Sequence, residues 1–293
     1  MTTTPTDLPT RPYGDAGQPR GAGGRTAVRV VVIVVSLLLV AWGALWLVSL
    51  LARDSLHRSA TYDGVRVVEL NLGFESVTVT GDDAATQVTV DRTARWSMSK
   101  PDLSSRLEGD HLLMRSSCHW SVGVGCSGDV RLVVPADTVV RVDAGDGHVS
   151  VRDLTRRVEV TTADGSVEVA GITGGAVLHT GDGRIAADDV TGPVQLRTGD
   201  GSIDATALRS SRVDATTSDG SVRLQFATAP RTVGATTGDG SVEVAIPRDG
   251  QPWRVEATTG DGSRTVDVAT DPAADRTITL HTGDGSVRVQ YTP

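Results

Sequence analysis

An Asp-Gly dipeptide set in one recurring flanking pattern appears eight times from residue 146 onward, at Asp146, Asp164, Asp182, Asp200, Asp219, Asp239, Asp261 and Asp284. Successive copies lie 18 to 23 residues apart. Self-similarity at that period is the signature of a repeat architecture, made by stacking one small unit on the next; the composition separately excludes a helical bundle, a disulfide-dense mini-protein and a basic nucleic-acid binder. Aligned on the aspartate, the copies carry apolar residues six and four positions before it (Val158 and Val160, Val194 and Leu196, Ile278 and Leu280). Three and five positions after it the pattern resumes (Val167 and Val169, Ile203 and Ala205, Val287 and Val289). Period two on both sides of a turn means two short strands per copy, each with one buried face.

Two topologies share this parity. In a β-solenoid each copy is one coil; in a hairpin array Asp-Gly is a tight reversal and the two strands of a copy pair with each other. No helix-period segment is at hand to cover a one-sided sheet of sixteen strands, whereas a coil folds its two apolar faces together. The predicted class is therefore all-β, a β-solenoid over 140–293. Glycine is expected to supply a positive φ at the turn, and aspartate to bond the local backbone. Threonine stands two before the aspartate in seven copies, on the buried parity, so its hydroxyls are expected to bond along the stack. In the first four copies Leu154, Ile172, Val190 and Leu208 are placed to plug the second corner. In the seventh copy Arg264 and Thr265 displace the valines to Val266 and Val268, which predicts a bulge or register correction. Residues 61–139 read as a β-rich capping region with strands near Val65–Leu72, Ser76–Thr80, Gln87–Trp96, His111–Ser116 and Asp129–Val134.

The other end of the chain has different physics. Prolines 5, 9, 12 and 19 and few large apolar groups predict a disordered tail over 1–29. Val30–Ala52 runs 23 residues without a charge. As a helix it is about 35 Å long, enough for a hydrocarbon core of about 30 Å. It is longer than a signal-peptide apolar region, and no small-residue cleavage site follows closely, so an uncleaved transmembrane helix is predicted at 30–52. Four arginines precede the span and Arg53 and Arg58 follow it, which orients the N-terminus to the cytoplasm. Net charge matters here because it is divided. Six arginines against three aspartates give residues 1–58 a charge of +3, so the total of -8 leaves -11 beyond them. An acidic ectodomain repels nucleic acid, and none is expected as a partner.

Cys118 and Cys126, with Gly123 and Gly125 between them, read as a disulfide closing a short loop in an oxidising compartment. The alternative is a metal site of Cys118, His119, Cys126 and His111, which lacks the paired spacing of zinc motifs.

The copies VEVTTADGSVEV and TTGDGSVEVAIP, the preceding VRLVVPADTVVRVDAGDGHVSV and the single N-terminal apolar span resemble the bacterial β-strand-repeat family called domain of unknown function 4097, often labelled adhesins. The resemblance covers about residues 61–293. It implies an envelope-associated β-rich ectodomain and brings no catalytic residues with it.

Candidate chemistry is sparse. Stacked coils would place the eight turn aspartates in a column about 4.8 Å apart, where adjacent charges repel by about 0.9 kcal/mol in water. Ca²⁺ bound to Asp146, Asp164, Asp182, Asp200, Asp219, Asp239, Asp261 and Asp284 would relieve this, although the spacing is not that of calcium-binding repeats. Structural turn aspartates are the simpler expectation, with no cofactor. Histidines 57, 111, 119, 148, 179 and 281 are scattered, with no triad or zinc spacing. The expected function is a non-catalytic, membrane-anchored cell-envelope module for adhesion or interaction with an envelope ligand or protein. The alternative is an envelope-sensing accessory to a membrane partner, and the remote one a polysaccharide-active β-helix enzyme.

Overall fold

The computed structural model describes residues 22–51, 53–97, 99–118 and 125–292. The chain divides into two compact units, Met1–Val48 and Ser49–Pro293.

The first unit carries one helix, α1, Ala22–Leu51. It begins at Ala22 rather than Val30, because no proline follows Pro19 to interrupt the backbone hydrogen bonds running back from the apolar segment. The rest of the expected tail, 1–21, lies outside the described residues. Val30 through Val35, Leu37 through Val40, Trp42 and Trp46 are all exposed. Among the described residues no helix is long and apolar enough to cross a membrane. The expected span reaches beyond them, since the side chains of Leu45 and of 47–52 lie outside the description.

The second unit is all strand, arranged as a 12-stranded and an 11-stranded sheet. Within each Asp-Gly copy the first strand joins one sheet and the second strand joins the other. Val158–Thr162 pairs in parallel with Val139–Ala144 on one side and Ala176–Thr180 on the other, with Val158 opposite Val140 and Ala176. Its sequel Val167–Ile172 does the same in the opposite sheet, between Val149–Leu154 and Ile185–Val190. The two strands of one copy never pair with each other, which excludes the hairpin array. Parallel pairing in constant register is what a repeated inward row demands, because a slip by one residue would expose every valine. The inward rows of both sheets form one continuous core, from Val68 and Leu70 through Val142, Val169, Leu196 and Leu224 to Val289. Its thin cross-section is filled by Val, Ile, Leu, Ala and Thr, which accounts for an aromatic content of only 3%.

The second corner changes along the stack. In the first four copies the residue before the plug has a positive φ: Asp153 at 59°, Gly171 at 66°, Asp189 at 49° and Ala207 at 51°. From the fifth copy that residue is absent and Phe226, then Ile246, fills the corner one position earlier, both buried. The register shift between Ala205 and Leu208 marks this transition.

Both ends depart from chain order. Val67–Leu72 and Glu75–Asp82 lie directly against the first Asp-Gly copy, so no boundary falls at 139/140. His111–Ser117 and Ser127–Pro135 stack outside them. Antiparallel strands then finish that end: Gln87–Ser97 and Arg53–Asp63 in one sheet, Asp102–Glu108 in the other. At the far end the eighth copy, Thr277–Thr282 and Val287–Tyr291, inserts between the sixth and the seventh. The seventh copy, Arg254–Thr259 and Arg264–Val266, is therefore the terminal coil. Its Arg264 lies opposite Val287 and its Val266 opposite Val289, in the common register. The expected bulge is absent: this copy deviates because it has a neighbour on one side only.

Candidate functional site

The Asp-Gly corners stack directly on one another. The backbone amide of Gly199 bonds the Gly181 carbonyl at 2.5 Å, and that of Gly238 bonds Ser218 at 2.6 Å, so each turn is held by the turn of the adjacent coil. None of the eight Asp-Gly glycines has a positive φ, which corrects the expected reason for glycine. A Cβ on Gly165, Gly183, Gly201, Gly220, Gly240, Gly262 or Gly285 would land on the carbonyl oxygen of the equivalent glycine in the neighbouring coil. Glycine is required because two backbones meet there.

Threonine completes the corner. Thr180 Oγ1 donates to the Gly165 carbonyl at 2.9 Å and accepts the Gly183 amide at 3.2 Å. Thr237 repeats this with Gly220 and Gly240, and Thr282 with Gly240 and Gly285. The hydroxyls thus bond along the stack through backbone rather than through one another. A buried hydroxyl needs both partners to offset its desolvation. The column of buried threonines is structural.

The eight candidate calcium aspartates occupy this corner, in the spatial order Asp146, Asp164, Asp182, Asp200, Asp219, Asp239, Asp284, Asp261, and all are exposed. Among the described residues no group of three or more His, Cys, Asp or Glu comes together to hold a metal ion. His57 meets Thr93 Oγ1, His281 meets Thr258 Oγ1, and His148 meets Glu168, in three separate places. His119 lies outside the described residues. Cys118 and Cys126 form a disulfide with Cα atoms 6.1 Å apart, which consumes both thiolates that the alternative metal site would need.

Outward rows carry cross-coil ion pairs. Arg152 pairs with Glu168, Arg184 with Asp204 at 2.8 Å and Arg223 with Glu243 at 3.2 Å on one sheet, and Arg141 with Glu159 at 3.1 Å on the other. Exposed pairs of this kind contribute about 0–1 kcal/mol each. Their constant register makes a patterned polar face.

Sequence reasoning missed two clusters. Arg92 and Glu75 form a buried bidentate ion pair, with Nε to Oε1 at 2.6 Å and Nη2 to Oε2 at 2.7 Å. The signal was present: both sit on the inward parity of their strands, Arg92 between Val90 and Ala94 and Glu75 before Val77 and Val79, and a charge there requires a partner. Beside them Leu56, Ala60, Tyr62, Val90, Leu103 and Met114, with Arg58 and Arg92, line a small hollow between the sheets. At the other end Arg276 stacks over buried Trp253, 4.1 Å from the ring centroid, and grips Asp249 through two bonds at 2.5 and 3.1 Å. The hydrogen bond from Arg276 holds the Asp249 carboxyl below the usual value of 3.8. Residues 249, 253 and 276 lie between strands, where no periodicity applies.

The family described as Toastrack DUF4097 matches residues 67–290. No curated protein matches the chain. Among solved structures, a "putative adhesin" from Bacteroides fragilis is 11% identical over 82% of this chain and 97% of its own, with a TM-score of 0.47. One of the same name from Parabacteroides distasonis has the same identity and coverage and a TM-score of 0.43. A "putative cell adhesion protein" from Clostridium sporogenes is 9% identical over 82% of this chain and all of its own, with a TM-score of 0.23.

Proposed function

Because the chain belongs to the Toastrack DUF4097 family, we propose that it is a non-catalytic, membrane-anchored module of the cell envelope that offers the outer faces of its solenoid to an envelope or surface partner. The observation that carries this reading is the division of labour in the coil. Inward rows and the Thr-Gly corner are committed to packing and backbone bonding, which leaves variety to the solvent-facing rows. A charged face in fixed register, such as Arg152, Glu168, Arg184, Asp204, Arg223 and Glu243, suits recognition by many shallow contacts. The turn aspartates face solvent, and the module works without Ca²⁺ or another cofactor. Val30–Ala52 is the anchor, with the N-terminus in the cytoplasm; its 23 uncharged residues and flanking arginines support this. Nucleic acid is not a partner of the acidic ectodomain.

Intact cells carrying the full chain with a tag at each end test the topology: external protease should remove the C-terminal tag and spare the N-terminal one. Cells with and without the chain are then compared for binding to isolated envelope material. Binding should survive Asp→Asn at each turn and fall on charge reversal at Glu168→Arg and Arg184→Glu together. Polysaccharide cleavage abolished by a single turn-aspartate substitution would replace this reading with an enzymatic one. Co-purification with one membrane protein, without envelope binding, would favour the sensing accessory.

A further inference from the structure

Each end of a solenoid is a pair of open sheet edges, and an end identical to the interior would accept a second copy as its next coil. In the sheet that holds the second strands, the position three after the turn is Val149, Val167, Ile185, Ile203, Val222, Val242 and Val287, each at most 1% exposed. In the terminal coil the same register position is Arg264, opposite Val287 and exposed. At the other edge of that sheet, Arg53–Asp63 presents Leu56, Arg58, Ala60 and Tyr62 toward the hollow between the sheets. Arg58 is exposed and stands opposite Arg92, whose charge is already matched by Glu75. Both terminal strands of one sheet thus carry an arginine on the core-facing row. The chain order adds a second observation. The eighth copy, with valines at 287 and 289, is threaded back beneath the seventh, so the copy that carries Arg264 ends outermost.

We propose that Arg264 and Arg58 are end stops that prevent the solenoid from stacking on a second copy of itself. A coil added beyond Arg264 would bury the guanidinium against the core-facing row and leave its charge without a counter-ion. With valine there, the terminal coils of two copies could meet with the inward row unbroken. The open edge supplies the hydrogen bonds. Asp267 donates its amide inward to Val289, so by strand alternation the amides of Arg264 and Val266 point outward.

The test uses the full chain in mild detergent, followed by sedimentation velocity across a concentration series. Wild type, Arg264→Lys and Arg264→Glu should share one concentration-independent state. Arg264→Val should shift to larger, concentration-dependent species. Adding Val266→Pro, which removes an outward amide and no internal bond, should restore the wild-type state, and Val266→Pro alone should match wild type. The proposal is overturned if Arg264→Val sediments as wild type, or if the lysine or glutamate variant associates equally. It also fails if Val266→Pro leaves the association intact, or if wild type assembles and Val266→Pro alone dissociates it.

Discussion

At the corner glycines the backbone of one coil touches that of the next, and a single methyl group decides whether the stack can close. Gly201→Ala places its Cβ on the Gly183 carbonyl. Relief requires the coils to separate, so a loss of about 3 kcal/mol or more is expected. Gly234 is the control: it lies mid-strand, with nothing nearer to an added Cβ than Asp214 Oδ2 at 3.8 Å. Gly234→Ala should be neutral or stabilising by up to about 1 kcal/mol through unfolded-chain entropy. Urea midpoints at unchanged slope separate the two, and equal effects would sink the close-approach account. Thr180→Val keeps the shape but strands the Gly183 amide and the Gly165 carbonyl, at about 1–3 kcal/mol. The glycine was legible in the sequence, but its reason was not. A local turn and a contact between coils select the same residue, and only the second coil distinguishes them.

At the level of strands, legibility follows burial. Interior strands pack one apolar row between two neighbours and alternate cleanly. Arg53–Asp63 and Asp102–Glu108 lie at sheet edges, largely exposed, and their mixed patterns hid them. Gln87–Ser97 joins one such edge strand to the parallel stack, and Arg92 is its buried charge. Removing the guanidinium alone leaves Glu75 buried without a counter-charge. Arg92→Ala is expected to cost about 3–5 kcal/mol, whereas the double substitution Glu75→Leu, Arg92→Met should recover most of it. A double-mutant cycle by thermal or urea unfolding checks this; additive losses would mean that the pair is not coupled.

For the whole molecule, the question is how a repeat array ends. Residues flanking the terminal coil hold it in place: Asp249 before it, Trp253 at its start and Arg276 after it. The Asp249 carboxyl is depressed by Arg276, so its contribution is complete above the ordinary value near 3.8 and is lost as pH falls through the lower folded value. Acid should therefore loosen this end first. Hydrogen exchange within 254–266 should accelerate below that pH in wild type, and Asp249→Asn should remove the step; the same acceleration in the variant would exclude Asp249 as its source. The amino-acid sequence by itself determined the repeat, the two strands per coil, which faces are buried, and the family. Those are properties of parity and period, and each copy states them independently. Tertiary structure alone decided the order of the coils: the return of the eighth copy beneath the seventh, and the placing of 67–82 against 139–154. All copies share one period and one register, so any could sit beside any other; which copy tolerates an open edge is settled only when the whole stack closes.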